Sequence, residues 1–128
     1  MKLLLDTHAL IWWWTDDPML PASARALIAD ESLPVFVSAA SAWEMATKHR
    51  LGKLGSVSAA LPRFNALTQA DGFQHLAITW QHAIRAGSHV ADHRDPFDRM
   101  LAAQADLEGL TLITRDEAFA QFGTRTAW

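Results

Sequence analysis

There is no cysteine in this chain, so disulfides, a thiolate nucleophile and Cys-ligated zinc are all excluded. No apolar run approaches the roughly 18–20 residues that a membrane span needs. One lysine and three leucines precede Asp6, too few for a secretory leader, so the expected location is the cytoplasm. No excess of one charge advertises a nucleic-acid partner, since 11 basic residues face 14 acidic ones for a net charge of −3. Repeats, low-complexity tracts and domain linkers are missing as well, which points to a single domain over residues 1–128. GxSxG, HExxH and a Gly-rich phosphate loop do not occur, which removes the nucleophile elbow, a helical zinc site and a P-loop as readings. A histidine metal site has little support, because His89 and His93 straddle an expected helix end.

What remains is half apolar and one-fifth charged, the composition of a globular domain long enough to build a core without staples. "KLLL" (2–5), "PVFV" (34–37), "LAI" (76–78) and "TLIT" (111–114) read as buried strands, with a weaker fifth at "TRTA" (124–127). Helical patterns lie between them: "ALIWWW" (9–14), then 21–31, 38–50, 56–70, 80–89 and 95–109. Strands too apolar to alternate, separated by helices, predict a parallel sheet of four or five strands covered on both faces. The expected fold class is a three-layer α/β/α domain.

In open parallel sheets, sites form beyond the carboxyl ends of the strands. Asp6 directly follows the first strand, the helix carrying Glu44 follows the second, Asp116 lies two residues past strand 111–114, and Asp95 and Asp98 open a helix. Carboxylates gathered on one sheet edge repel one another and force protonation unless a cation is present. Magnesium or manganese, which prefer oxygen ligands, removes that repulsion and activates water beside a phosphate. Phosphodiester hydrolysis suits such a set better than nucleotide binding.

Each acid also has a purely structural reading. Asp6 and Asp116 are well placed to cap short helices. Asp-Pro at 95–96 is the usual N-cap followed by first-turn proline, which leaves Asp98 as the ligand. "SAWE" (41–44) fits a capping box through Glu44, but a helix starting near Ser38 would free Glu44 to point inward. Lys48, His49, Arg50 and Lys53 form a basic stretch, with Arg94, Arg99 and Arg115 near the acids; they read as phosphate contacts or as solvated, dipole-complementing charge. Trp12, Trp13 and Trp14 span about 200° of a helix, so at least one is expected to be exposed or to cover a partner.

"LLLDTHALIWW", "SAASAWEMATKHRLGKL", "HRDPFDRMLAAQA" and "TLITRDEAF" together resemble the PIN domain, and more narrowly the VapC-type toxins of type II toxin–antitoxin pairs. The resemblance runs along essentially the whole chain. It implies a Mg²⁺- or Mn²⁺-dependent endoribonuclease with catalytic Asp6, Glu44, Asp98 and Asp116, in which Asp6, Asp98 and Asp116 hold the metal. Thr7 and Thr114 would support the acids, as would Asp95, which belongs to a "DPFDR" variant seen in a subset of the family. Lys48, Arg50, Arg99 and Arg115 are the expected substrate contacts. The resemblance also implies an RNA substrate, a small antitoxin partner docking on the Trp12–Trp14 helix, and a homodimer. Two alternatives stay open: a non-catalytic scaffold that binds protein or RNA, and another metal-dependent phosphohydrolase.

Overall fold

The computed structural model describes residues 1–128. Five parallel strands, β1 (Leu3–Leu5), β2 (Val35–Ser38), β3 (Gln74–Leu76), β4 (Thr111–Ile113) and β5 (Thr126–Ala127), form one sheet in the order β3-β2-β1-β4-β5. Six α-helices cover it: α1 (Thr7–Trp14), α2 (Ala22–Ala29), α3 (Ala39–Arg50), α4 (Phe64–Ala70), α5 (Trp80–Ser88) and α6 (Pro96–Glu108). The result is the expected three-layer α/β/α arrangement.

Side chains alternate across a strand, and the register exploits that. Leu3 lies beside Val35 and Thr111, and Leu5 beside Val37 and Ile113. Leu3, Leu5, Val35, Val37 and Ile113 therefore point into one core, completed by Leu10, Ala24, Ile28 and Met45 from the helices. Leu4 and Leu112 point the other way, into a second core with Leu101, Ala105 and Phe119. Burying each leucine contributes about 1.5–3 kcal/mol, and the central strand β1 has all three of its leucines at 1 % exposure or less. A sheet buried on both faces cannot show polar alternation, which explains the unbroken "LLL".

Two segments depart from expectation. The third strand is Gln74–Leu76 rather than 76–78; it is an edge strand with exposed Gln74 and His75, so its apolar signal is carried by Leu76 alone. The helix expected over 56–70 is a 3₁₀ run, Gly55–Arg63, followed by α4. Pro62 lies in that run and lacks the amide hydrogen an α-helix needs.

The strand order places the site. The chain moves outward from β1 through β2 to β3, then crosses to the other side of β1 for β4 and β5. That reversal makes a switch point between β1 and β4, where loops leave in opposite directions and open a crevice at the carboxyl ends of the strands. No helix is long and apolar enough to cross a membrane.

Candidate active site

A cleft of about 580 Å³ opens at this switch point. No apolar residue lines it: six carboxylates, those of Asp6, Glu44, Asp95, Asp98, Asp116 and Glu117, surround it. Thr7, His8, Lys48 and Arg115 complete the wall. All four acids expected to be catalytic are thus brought together, from the β1–α1 junction, α3, α6 and the loop after β4.

Asp6 is both a cap and a cleft residue. Its Oδ1 accepts the Ala9 amide at 2.7 Å and starts α1, while the residue is only 7 % exposed. Burial raises its carboxyl above the usual range, and the Thr114 hydroxyl and the Ala9 N–H oppose that rise. Asp116 repeats the pattern at the surface, accepting the Ala118 amide at 2.9 Å. Its own amide donates to Thr114 Oγ1 at 3.0 Å. Thr114 therefore ties the last acid to the first. Thr7 is buried and donates to Ser41 Oγ at 3.1 Å, joining α1 to α3.

Glu44 owes its position to Ser38. Ser38 caps α3 by accepting the Ala40 amide, so the alternative box through Ser41 does not form and Glu44 falls in the second turn. There it is 6 % exposed, with Lys48 Nζ 2.8 Å away one turn on. Asp95 caps α6 through the amides of Phe97 and Asp98, with Pro96 in the first helical position. Asp98 then turns inward, its Oδ2 2.8 Å from His93 Nε2. Burial, helped by the charges of Asp95 and Glu44, pushes the Asp98 carboxyl up to about 6.

The basic residues divide. Lys48 and Arg115 line the cleft, and the Arg115 guanidinium lies 4.8 Å from the centre of the Trp12 ring, a cation–π contact. Arg50 is exposed at the end of α3, outside the cleft. Arg99 does not face the acids. Its guanidinium donates to the carbonyls of Ala86, His89, Ala91 and His93, which occupies its donors in holding the segment that leads into α6. Nor does the Trp12–Trp14 helix offer an open hydrophobic dock. Trp12 packs on Trp128, Trp13 on Phe73 and Trp14 on Phe64, and all three are part-buried. The exposed tryptophans are Trp43 and Trp80.

His8 and Glu117 line the cleft without having been singled out from the sequence, and His93, weighed there only as a metal ligand beside His89, reaches the site through Asp98. His8 and Glu117 each lie next to a residue that was singled out, Thr7 and Asp116. His93 comes from an irregular segment with no periodicity to place it.

The donor chemistry fits a hard divalent cation: it is all oxygen, crowded, and held ionised only at a cost that a cation would remove. No three groups close into a preformed ligand cluster. Five of the six acids instead hold a partner of their own chain: an amide for Asp6, Asp95 and Asp116, Lys48 for Glu44, and His93 for Asp98.

The PIN domain family model matches residues 3–124, and the chain belongs to that family. The fold is shared with solved structures of low sequence identity. One is VapBC2 from Rickettsia felis bound to a promoter DNA fragment, at 14 % identity and a TM-score of 0.68, covering 99 % of this chain and 98 % of that one. Another is VapBC-1 from nontypeable Haemophilus influenzae, at 17 % identity and 0.69, covering 99 % and 97 %. A toxin–antitoxin complex from Klebsiella pneumoniae follows at 24 % identity and 0.57, covering 92 % and 90 %. No curated protein matches the chain.

Proposed function

We propose that this chain is the toxin of a type II toxin–antitoxin pair and acts as a divalent-metal-dependent endoribonuclease in the cytoplasm. The observation that carries the reading is the wholly polar cleft, in which acids from four separate elements meet at the switch point of the sheet. The toxin–antitoxin assemblies among the chain's structural neighbours support it.

Asp6, Asp98 and Asp116 would hold Mg²⁺ or Mn²⁺, with Asp95 at the edge of the set. When bound, that ion supplies an acidified water and neutralises charge building on a phosphate. The chain's own groups do the rest. Glu44, buried and fixed by Lys48, orients the attacking water and accepts its proton. Lys48 and Arg115 meet the phosphate oxygens, and Arg50 follows the backbone outside the cleft. Thr7 and Thr114 keep α1 and the β4 loop in register with the acids. In-line attack would leave a 5′-phosphate and a 3′-hydroxyl. A small antitoxin would silence the site by presenting an arginine to the carboxylates, and a homodimer would place two clefts along one RNA.

The test is incubation of total cellular RNA with purified protein, with and without Mg²⁺ or Mn²⁺, beside Asp6→Ala. Discrete metal-dependent products that vanish in the variant are expected. Absence of cleavage by folded, antitoxin-free protein would shift the reading to a non-catalytic scaffold.

A further inference from the structure

No aromatic or aliphatic side chain lines the cleft except the imidazole of His8, so a nucleobase has no broad apolar face inside it to rest on. Its rim has one. Trp43 directly precedes Glu44 and Phe97 directly precedes Asp98, and the two rings pack edge to face at 4.7 Å with an interplanar angle of 78°. That contact covers at most one face of the indole and fixes its tilt, while Trp43 remains 55 % exposed. Its neighbours one turn away on α3, Ala39 and Ala46, are exposed and small, so α3 itself puts no large side chain over the ring. An isolated aromatic among alanines and charges is a poor protein interface, which needs roughly 1,000 Å² of matched surface. It is a good seat for one flat base.

Charge continues from the ring in one direction. Glu44 and Lys48 are four residues apart and share the cleft-facing stripe of α3. Trp43 and Arg50 are seven apart, so they share the adjacent stripe about 10.5 Å apart along the axis. Arg50 is exposed there. One aromatic face and one cation thus lie beside the acids, the pairing of stack and charge by which single strands are bound.

Building on the ribonuclease reading, we propose that Trp43, buttressed by Phe97, is a base-stacking platform that seats an unpaired nucleotide of single-stranded RNA beside the scissile phosphate, with Arg50 on the backbone further along. Trp43 touches substrate without taking part in bond cleavage. It sets where the strand lies relative to Glu44 and Asp98, and it favours unpaired over duplex RNA.

The probe is a fluorescein-labelled 12-nucleotide single-stranded RNA, with binding followed by fluorescence anisotropy in an Asp98→Asn background so that it is not consumed. Trp43→Ala should weaken binding between about five- and 150-fold, the range for losing one aromatic stack, and Trp43→Phe should restore most of it. An abasic nucleotide walked along the RNA should lower affinity at one or two positions, and Trp43→Ala should abolish that position dependence. In the active protein, Trp43→Ala should raise KM with kcat little changed. Unaltered binding in Trp43→Ala overturns the proposal alone. So does conversion of a dimer to monomers in sedimentation with an affinity loss blind to abasic position, because Trp43 would then meet a second copy. If the unsubstituted chain neither binds nor cuts RNA, the proposal falls together with the ribonuclease reading.

Discussion

His93 Nε2 stands 2.8 Å from Asp98 Oδ2, and both side chains are 21 % exposed. An imidazole from an irregular segment thus holds the carboxylate that opens α6. The Asp98 carboxyl is nonetheless raised to about 6, because burial outweighs the imidazole's help.

The sign of the resulting pH dependence follows. A carboxyl whose folded value lies above its unfolded one makes the native state bind more protons, so stability falls as pH rises between the two. Metal-free protein is therefore expected to lose thermal stability from about pH 4 to about pH 6 through Asp98, with the raised Asp6 acting in the same direction. At pH 7, Mg²⁺ at a hundred times its dissociation constant should add about 2.7 kcal/mol. Melting curves at pH 4.5, 5.5, 6.5 and 7.5 with and without Mg²⁺ check both; a metal-free melting temperature that climbs through this range would refute the assignment.

Asp98→Asn should separate function from stability. Removing the charge lowers the repulsion from Asp95 and Glu44, so metal-free protein should melt higher than the unsubstituted chain above pH 6. Cleavage should fall by about 10²–10³, the scale of losing one electrostatic group at a reacting centre. A variant that cuts RNA normally would remove Asp98 from the catalytic set.

Arg99→Ala should act on folding. It leaves four carbonyls around residues 86–93 without their donor, at a cost of about 2–4 kcal/mol. Amide exchange should rise over residues 89–94. Normal stability with a raised KM would instead give Arg99 the phosphate-binding role that its sequence position invites.

Gln104→Leu probes the polar connection beneath the site. Gln104 is fully buried, accepts from Ser38 Oγ and donates to the Ala77 carbonyl. Leucine would strand both groups, at about 1–3 kcal/mol. Because Ser38 caps α3, the change should also loosen Glu44. Urea unfolding should show a lower midpoint with an unchanged slope, and RNA cleavage at a temperature where the variant is folded should be slower.

The features legible in the sequence were those with a short-range cause. "LLL" and "TLI" read as buried strands because burial on both faces leaves only Thr111 polar among them. Asp-Pro at 95–96 announced a cap, and alanines at 39 and 40 announced an early start to α3, from which the placement of Glu44 follows. Asp6 and Asp116 could not be decided as cap or site, and they are both: one oxygen closes the helix while the residue lines the cleft. What stayed hidden depends on partners distant in sequence. Arg99 was assigned to substrate because the carbonyls that consume it lie in an irregular loop. At least one of the three tryptophans was expected to be exposed or to cover a partner, because Trp128, Phe73 and Phe64, which pack on them, come from elsewhere in the chain. Trp43 carried no signal of its own, because its exposure and its contact with Phe97 are set by how α6 packs on α3.

The order of the strands carries a consequence for how the protein is made. β1, with Asp6 at its end, is synthesised first and lies at the centre of the sheet, yet Thr114 and Asp116 reach it only when β4 pairs along its free side. A ribosome that has translated the first hundred codons holds a chain with Asp6, Glu44 and Asp98 but no wall beyond β1. The cleft cannot close until β4 and the loop after it have left the exit tunnel. A chain that stops before β4 therefore lacks Arg115, Asp116 and Glu117 and cannot form the complete cleft.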